Sequence, residues 1–155
     1  MTGELPEDVC NTVNNRLHIS LTSTSMQNVV VSSFASRENL VDALICSCFI
    51  PVFSGIKVPQ YLGKKYLDGG LTNQFPVLDE KTVKISPFSG KFKDVSPGDK
   101  SMLSLTLANE NMYLSRRNLI RAKHAVSHLD DGKLDYYYKM GFEQTELFIN
   151  NKLLQ

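Results

Sequence analysis

Lys64 to Asn73 reads KKYLDGGLTN, a short strand-like run that ends in a carboxylate, Asp68, followed at once by two glycines, Gly69 and Gly70. On spacing alone this stretch has two readings. Asp-Gly-Gly serves any tight turn that needs a positive φ. It also suits a base presented on a loop whose backbone must bend sharply beside a reacting group. The residues on either side decide between them.

Upstream, Leu17, Ile19 and Leu21 alternate with His18, Ser20 and Thr22, the period-2 pattern of a half-buried strand. After the polar STSMQN turn, VVVSSF is a continuous β-branched run that predicts a central strand covered on both faces. Ser36 then caps a helix with Glu38 in its first turn, and Leu40, Val41, Leu44, Ile45 and Cys48 form its apolar stripe until Pro51. Pro51 to Pro59 reads as a loop leading into the quoted stretch.

Downstream, TVKISPF predicts another strand, and SGKFKDVSPGDKS, rich in Ser, Gly, Pro and charge, a surface connection. NMYLSRRNLIRAKHAV has helical spacing at Met112, Ser115, Leu119, Ala122 and Val126, with Arg116, Arg117, Arg121 and Lys123 on the remaining surface. That basic face is either solvated or a contact for lipid headgroups. LDYYYKMGFEQTELFINNKLL predicts a final helix in spite of Gly141.

With 155 residues, 42% hydrophobic and 21% charged, the chain has the size of one ordinary domain with a buried core. A formal charge of +1 gives no general reason to expect a polyanion, so nucleic acid is not expected as a partner. Three cysteines without paired spacing fit a reduced, intracellular setting, with Cys46 and Cys48 on different helix faces. The apolar run Ala43 to Ile56 contains Pro51 and is shorter than the roughly 20 residues of a spanning helix. The opening MTGELPEDVC has neither the basic nor the apolar region of a secretory signal, so membrane association is expected to be peripheral.

Little else carries chemistry. His124 and His128, four apart on a helix, could share a metal, but no third ligand accompanies them, and no metal site is expected. No phosphate-binding loop is present, and no cofactor is implied.

Taken together, LICSCFIPVFSGIKV, KKYLDGGLTNQFPV and VKISPFSG resemble the patatin-like phospholipase family of lipid acyl hydrolases, most strongly its adiponutrin and adipose triglyceride lipase branch. There an apolar helix ends in an S-x-x-x-P element, here Ser47 to Pro51. A short strand then delivers Asp-Gly-Gly or Asp-Gly-Ala, here Asp68, Gly69 and Gly70, and an Asn and a Pro follow, here Asn73 and Pro76. The resemblance extends from NNRLHISLT to the last helix.

It implies an α/β fold, a patatin-like sheet flanked by helices, which we expect to be largely parallel and incomplete at its N-terminal side. Residues 1–155 would form a single partial domain, with about 14–90 the Asp-bearing half of the core and about 100–155 a helical C-terminal extension. The implied chemistry is a Ser-Asp dyad that cleaves lipid esters, triacylglycerol, phospholipid or retinyl ester, without a catalytic histidine. Asp68 is its base and orienting partner.

The family's serine sits in G-x-S-x-G, and no such motif occurs in these residues. The resemblance therefore places both the nucleophile and the oxyanion loop before Met1 and makes this chain, by itself, an inactive portion of the domain. The alternative is a non-catalytic protein that docks on a lipid surface or a partner through the Arg116, Arg117, Arg121 and Lys123 face. Further expectations are a peripheral position on a lipid droplet or membrane surface and self-association through an exposed sheet edge.

Overall fold

The computed structural model describes residues 5–107 and 110–153. Met1 to Glu4 of the opening segment and Leu154 of the last expected helix lie outside them. The chain forms two compact units, residues 1–76 and 77–155.

The first unit is a four-stranded sheet in the order β2-β1-β4-β3, with β1 at Ile19–Ser23, β2 at Asn28–Val31, β3 at Gln60–Tyr61 and β4 at Lys64–Asp68. Two helices join it, α1 at Val9–Val13 and α2 at Arg37–Ser47. All three strand pairings are antiparallel, which corrects the expected parallel sheet. For β3–β4 and β1–β2 the reason is local. A parallel pair needs a crossover of a dozen or more residues, and the chain is far too short at Leu62 and Gly63 and in the turn between Ser23 and Asn28. That turn closes as a hairpin through the Ser23 N–H to Gln27 C=O bond at 2.9 Å and Met26 at φ 58°.

The triple valine of β2 lies at the sheet edge, contrary to its expected central place. Val29 and Val31 are half-buried and Val30 is 41% exposed, so the β-branched run reflects strand propensity and one covered face.

The core contains Ile19, Leu21, Phe34, Leu40, Ala43, Cys46 and Tyr61. The Ser36 cap forms as expected, its hydroxyl accepting the Asn39 N–H at 3.3 Å. The buried stripe of α2, however, is Leu40, Ala43 and Cys46, while Leu44, Ile45 and Cys48 face outward. Cys46 is fully buried, and desolvation pushes its thiol pKa up to about 11. Asn14 substitutes for a strand neighbour, accepting the Phe34 N–H at 2.8 Å and donating to its C=O at 3.3 Å.

The second unit holds the hairpin β5 (Ser104–Leu107) and β6 (Glu110–Tyr113), followed by α3 (Arg116–Ala125) and α4 (Asp131–Leu153). The expected TVKISPF strand is reduced to a single parallel bridge, Ile85 to Val95. The supposed surface connection is partly interior, with the Lys93 side chain 0% and that of Asp99 12% exposed. Buried polar groups organise this unit. Lys93 pairs with Glu110, to which Ser86 also donates, and Arg121 pairs with Asp99. Desolvated pairs like these hold one geometry because breaking either leaves a charge uncompensated. Among the described residues, no helix is long and apolar enough to cross a membrane.

Candidate active site

Asp68 is the last residue of β4, where the strand turns into a single 3-10 turn, Gly69–Leu71. Its backbone is fixed at three points. It lies opposite Leu21 in the β1 ladder, its N–H donates to Phe49 C=O at 3.0 Å, and its C=O accepts the Thr22 hydroxyl at 2.7 Å. Its carboxylate caps the turn, Oδ1 accepting the Gly70 N–H at 2.7 Å. Oδ2 accepts no hydrogen bond from any described residue, so a half-buried carboxylate is held by one oxygen and open at the other.

The two glycines are needed for closeness. Neither has a positive φ; among the described glycines that conformation belongs to Gly55 and Gly63. A Cβ on Gly69 would stand 2.2 Å from the Ser20 carbonyl oxygen and 2.4 Å from its carbon. Only a residue without a side chain lets the turn lie this tightly on β1. On Gly70 a Cβ would meet Asp68 Oδ1 and Gln74 Oε1, each at 3.0 Å.

Beneath the turn is a layer of short polar side chains. Thr22, 0% exposed, shares a hydrogen bond with Thr72 at 2.8 Å. Asn28 donates to the Ser20 hydroxyl at 2.8 Å and to the Leu21 C=O at 3.2 Å. Asn73 closes the loop, its N–H on the Gly69 C=O at 2.9 Å and its carbonyl accepting the Ser20 hydroxyl at 3.4 Å. The Ser20 hydroxyl thus donates to a carbonyl. Alternation had placed Ser20 and Thr22 on an open face of β1, whereas the turn covers that face. Thr22 and Asn28 carry no local signal as site residues because their partners in the turn, Asp68 and Thr72 for Thr22 and Thr72 and Asn73 for Asn28, lie more than forty positions away; the one available signal is a polar run inside a strand.

The other titratable candidates form no second site. His124 Nδ1 shares a hydrogen bond with the Tyr137 hydroxyl at 2.9 Å, and His128 lies beyond the end of α3. Among the described residues, no group of three or more His, Cys, Asp and Glu side chains could hold a metal. A serine-aspartate contact does exist, Ser89 Oγ to Asp99 Oδ2 at 2.9 Å, but Ser89 is 0% exposed. Arg121 grips both Asp99 oxygens, at 2.7 and 3.0 Å, and this bond holds the Asp99 pKa down at about 2. A carboxylate so stabilised is a poor base, and the pair is structural. The same burial takes Arg121 out of the expected basic surface of α3: its inward side carries Asn118 and Arg121, while Leu119 is 69% exposed.

The patatin-like phospholipase family model matches residues 11–80, the segment holding β1 through β4 and the Asp68 turn. Patatin-like phospholipase domain-containing protein 4 of Homo sapiens is 40% identical over 153 residues, covering 96% of this chain and 60% of the relative. The 1-acylglycerol-3-phosphate O-acyltransferase Pnpla3 of Mus musculus is 44% identical over 126 residues, covering 74% of this chain and 30% of the relative. Omega-hydroxyceramide transacylase of Homo sapiens is 39% identical over 149 residues, covering 94% and 28%. The chain thus spans less than two thirds of the length of the curated relatives it matches, 60% of the first and 30% or less of the other two. No solved structure matches it. The matched residues 11–80 and the identity that continues past them make this chain a member of the patatin-like phospholipase family.

Proposed function

We propose that this chain carries the aspartate half of a lipid acyl-ester site, with Asp68 as the base and orienting partner of a serine nucleophile. The observation that carries the reading is the carboxylate itself, fixed through Oδ1 by the Gly70 N–H and open at Oδ2 on a turn locked to β1. In the reaction, a serine hydroxyl gives its proton toward Oδ2 as its oxygen attacks the ester carbonyl. The alcohol then departs, leaving an acyl-serine, which water or an acceptor hydroxyl resolves.

The substrate class follows the relatives, named for a phospholipase domain, an acylglycerol-phosphate acyltransferase and a ceramide transacylase. It is a lipid acyl ester, triacylglycerol among the candidates, met at the surface of a droplet or membrane inside the cell. With no G-x-S-x-G in the 155 residues, they do not complete this cycle alone. Self-association through the exposed edge of β2 is part of the same reading.

The test uses any longer product of the gene that carries a G-x-S-x-G in frame. There Asp68→Asn lowers kcat for lipid ester hydrolysis by about a thousand-fold or more while leaving KM within a few-fold. Full activity in that variant would remove Asp68 from the mechanism.

A further inference from the structure

Between α2 and β3 the chain projects an apolar tip that no described residue covers. Val52 is 88% exposed, Phe53 70% and Ile56 97%, and Leu44 and Ile45 at the end of α2 continue the apolar surface. Three apolar side chains this open within five positions are clustered, the arrangement that marks an interaction surface.

The tip is also built. Val52 is held at φ 76°, a conformation that β-branched residues avoid, and its N–H donates to Gly55 C=O at 3.1 Å. Ser54 locks the turn from three sides: its N–H on Ile50 C=O at 2.8 Å, its hydroxyl on Cys48 C=O at 3.3 Å, and its Oγ accepting the Ile50 N–H at 3.1 Å. Strain maintained by that many bonds points to a selected shape.

Charge identifies the partner. From Ala43 to Leu67 there is no acidic side chain, while Lys57, Lys64 and Lys65 are all exposed. Lys57 follows Ile56 directly, Lys64 and Lys65 open β4, and Leu62 in the hairpin turn between β3 and β4 is 66% exposed. Elsewhere acids slightly outnumber bases, all 16 acidic residues against the 14 of 17 basic ones that lie outside this stretch. Apolar side chains that enter acyl chains, beside lysines that meet phosphate, are the recognition chemistry of an anionic phospholipid surface.

We propose that Val52, Phe53 and Ile56 insert into an anionic phospholipid surface, with Lys57, Lys64 and Lys65 contacting its headgroups. This rests on the lipid-ester reading above and specifies how the Asp68 site meets its substrate. Phe49, at the root of the tip, accepts the Asp68 N–H at 3.0 Å, so insertion seats the catalytic turn next to the lipid.

The chain contains no tryptophan, so Phe53→Trp places a single reporter at the tip. With mixed phosphatidylcholine and phosphatidylserine vesicles, its emission shifts to the blue and is quenched by brominated acyl chains. Vesicle flotation falls about ten-fold or more in Phe53→Asp/Ile56→Asp. It falls about five-fold for each of the three lysines replaced by Gln. Circular dichroism confirms that the variants stay folded, which exposed positions allow.

Asp68→Asn floats as the unaltered chain does, so a failed dyad leaves this result standing. Vesicle binding with an unshifted Phe53→Trp spectrum, or binding lost through Arg116 and Arg117 instead, would overturn the proposal. So would a blue shift that follows protein concentration without lipid, the mark of a second copy on the tip.

Discussion

Gly69→Ala should destabilise the sheet around the candidate site before it touches any chemistry. The new Cβ would sit 2.2 Å from Ser20 O, 2.4 Å from Ser20 C and 2.5 Å from Ser20 Oγ, where real contacts stay beyond 3.0 Å. Only Oγ belongs to a rotatable group. The two backbone atoms are held by the β1 ladder, with Leu21 opposite Asp68, so relief requires β1 and β4 to part by about 1 Å. Overpacking of this kind costs about 2–4 kcal/mol, and the stiffer unfolded chain returns about 0.4–1 kcal/mol. A net loss of about 2–3 kcal/mol lowers Tm by about 5–10 °C in a chain of this length, read by circular dichroism. Gly70→Ala supplies the control. Its Cβ would meet only the side-chain ends of Asp68 and Gln74, at 3.0 Å, and Tm should move by about 2 °C or less. Equal melting temperatures for Gly69→Ala and the unaltered chain would refute the close-approach reading of the motif.

Thr22→Val keeps the shape of a fully buried side chain and deletes the hydroxyl shared by the Asp68 C=O and Thr72, so it should cost about 1–3 kcal/mol in urea unfolding. An unchanged urea midpoint would mean those bonds hold nothing. In the second unit, Asp99 has a folded pKa of about 2, below its usual carboxylate value, because Arg121 holds it ionised. That stability is present in full above the unfolded pKa of about 4 and is lost as pH falls through the folded value. Acid titration between those limits should therefore remove on the order of 1 kcal/mol, and the loss should vanish in Asp99→Asn.

Much of the first unit was legible because its signals are local. The Ser36 cap and the strand at β1 depend on residues within a few positions and appear where their patterns indicate, whereas α2 ends at Ser47, before Pro51. What local pattern cannot carry is the partner. Ser20 and Thr22 alternate with apolar residues as solvent-facing side chains do, yet the Asp68 turn packs on them from the far side of the sequence. The valines of β2 look equally buried whether the strand is central or at an edge. Arg121 could be told from Arg116 and Arg117 only by Asp99, a single carboxylate inside a segment whose composition reads as loop. Asp68 itself is singled out by the family resemblance around it, since nothing about one Asp before two glycines separates a base from a cap, and in the structure the carboxylate is a cap through one oxygen.

The division of labour between Asp68 and a serine outside these residues is tested most directly by treating the 155-residue chain with a fluorophosphonate probe and locating any adduct by mass spectrometry. Ser20, against the Asp68 turn, donates toward Asn73, and Ser89 is buried on Asp99, so no stoichiometric labelling is expected. One adduct per chain, absent when the chain is denatured before treatment and accompanied by lipid ester hydrolysis, would show that the nucleophile is already present and contradict the assignment.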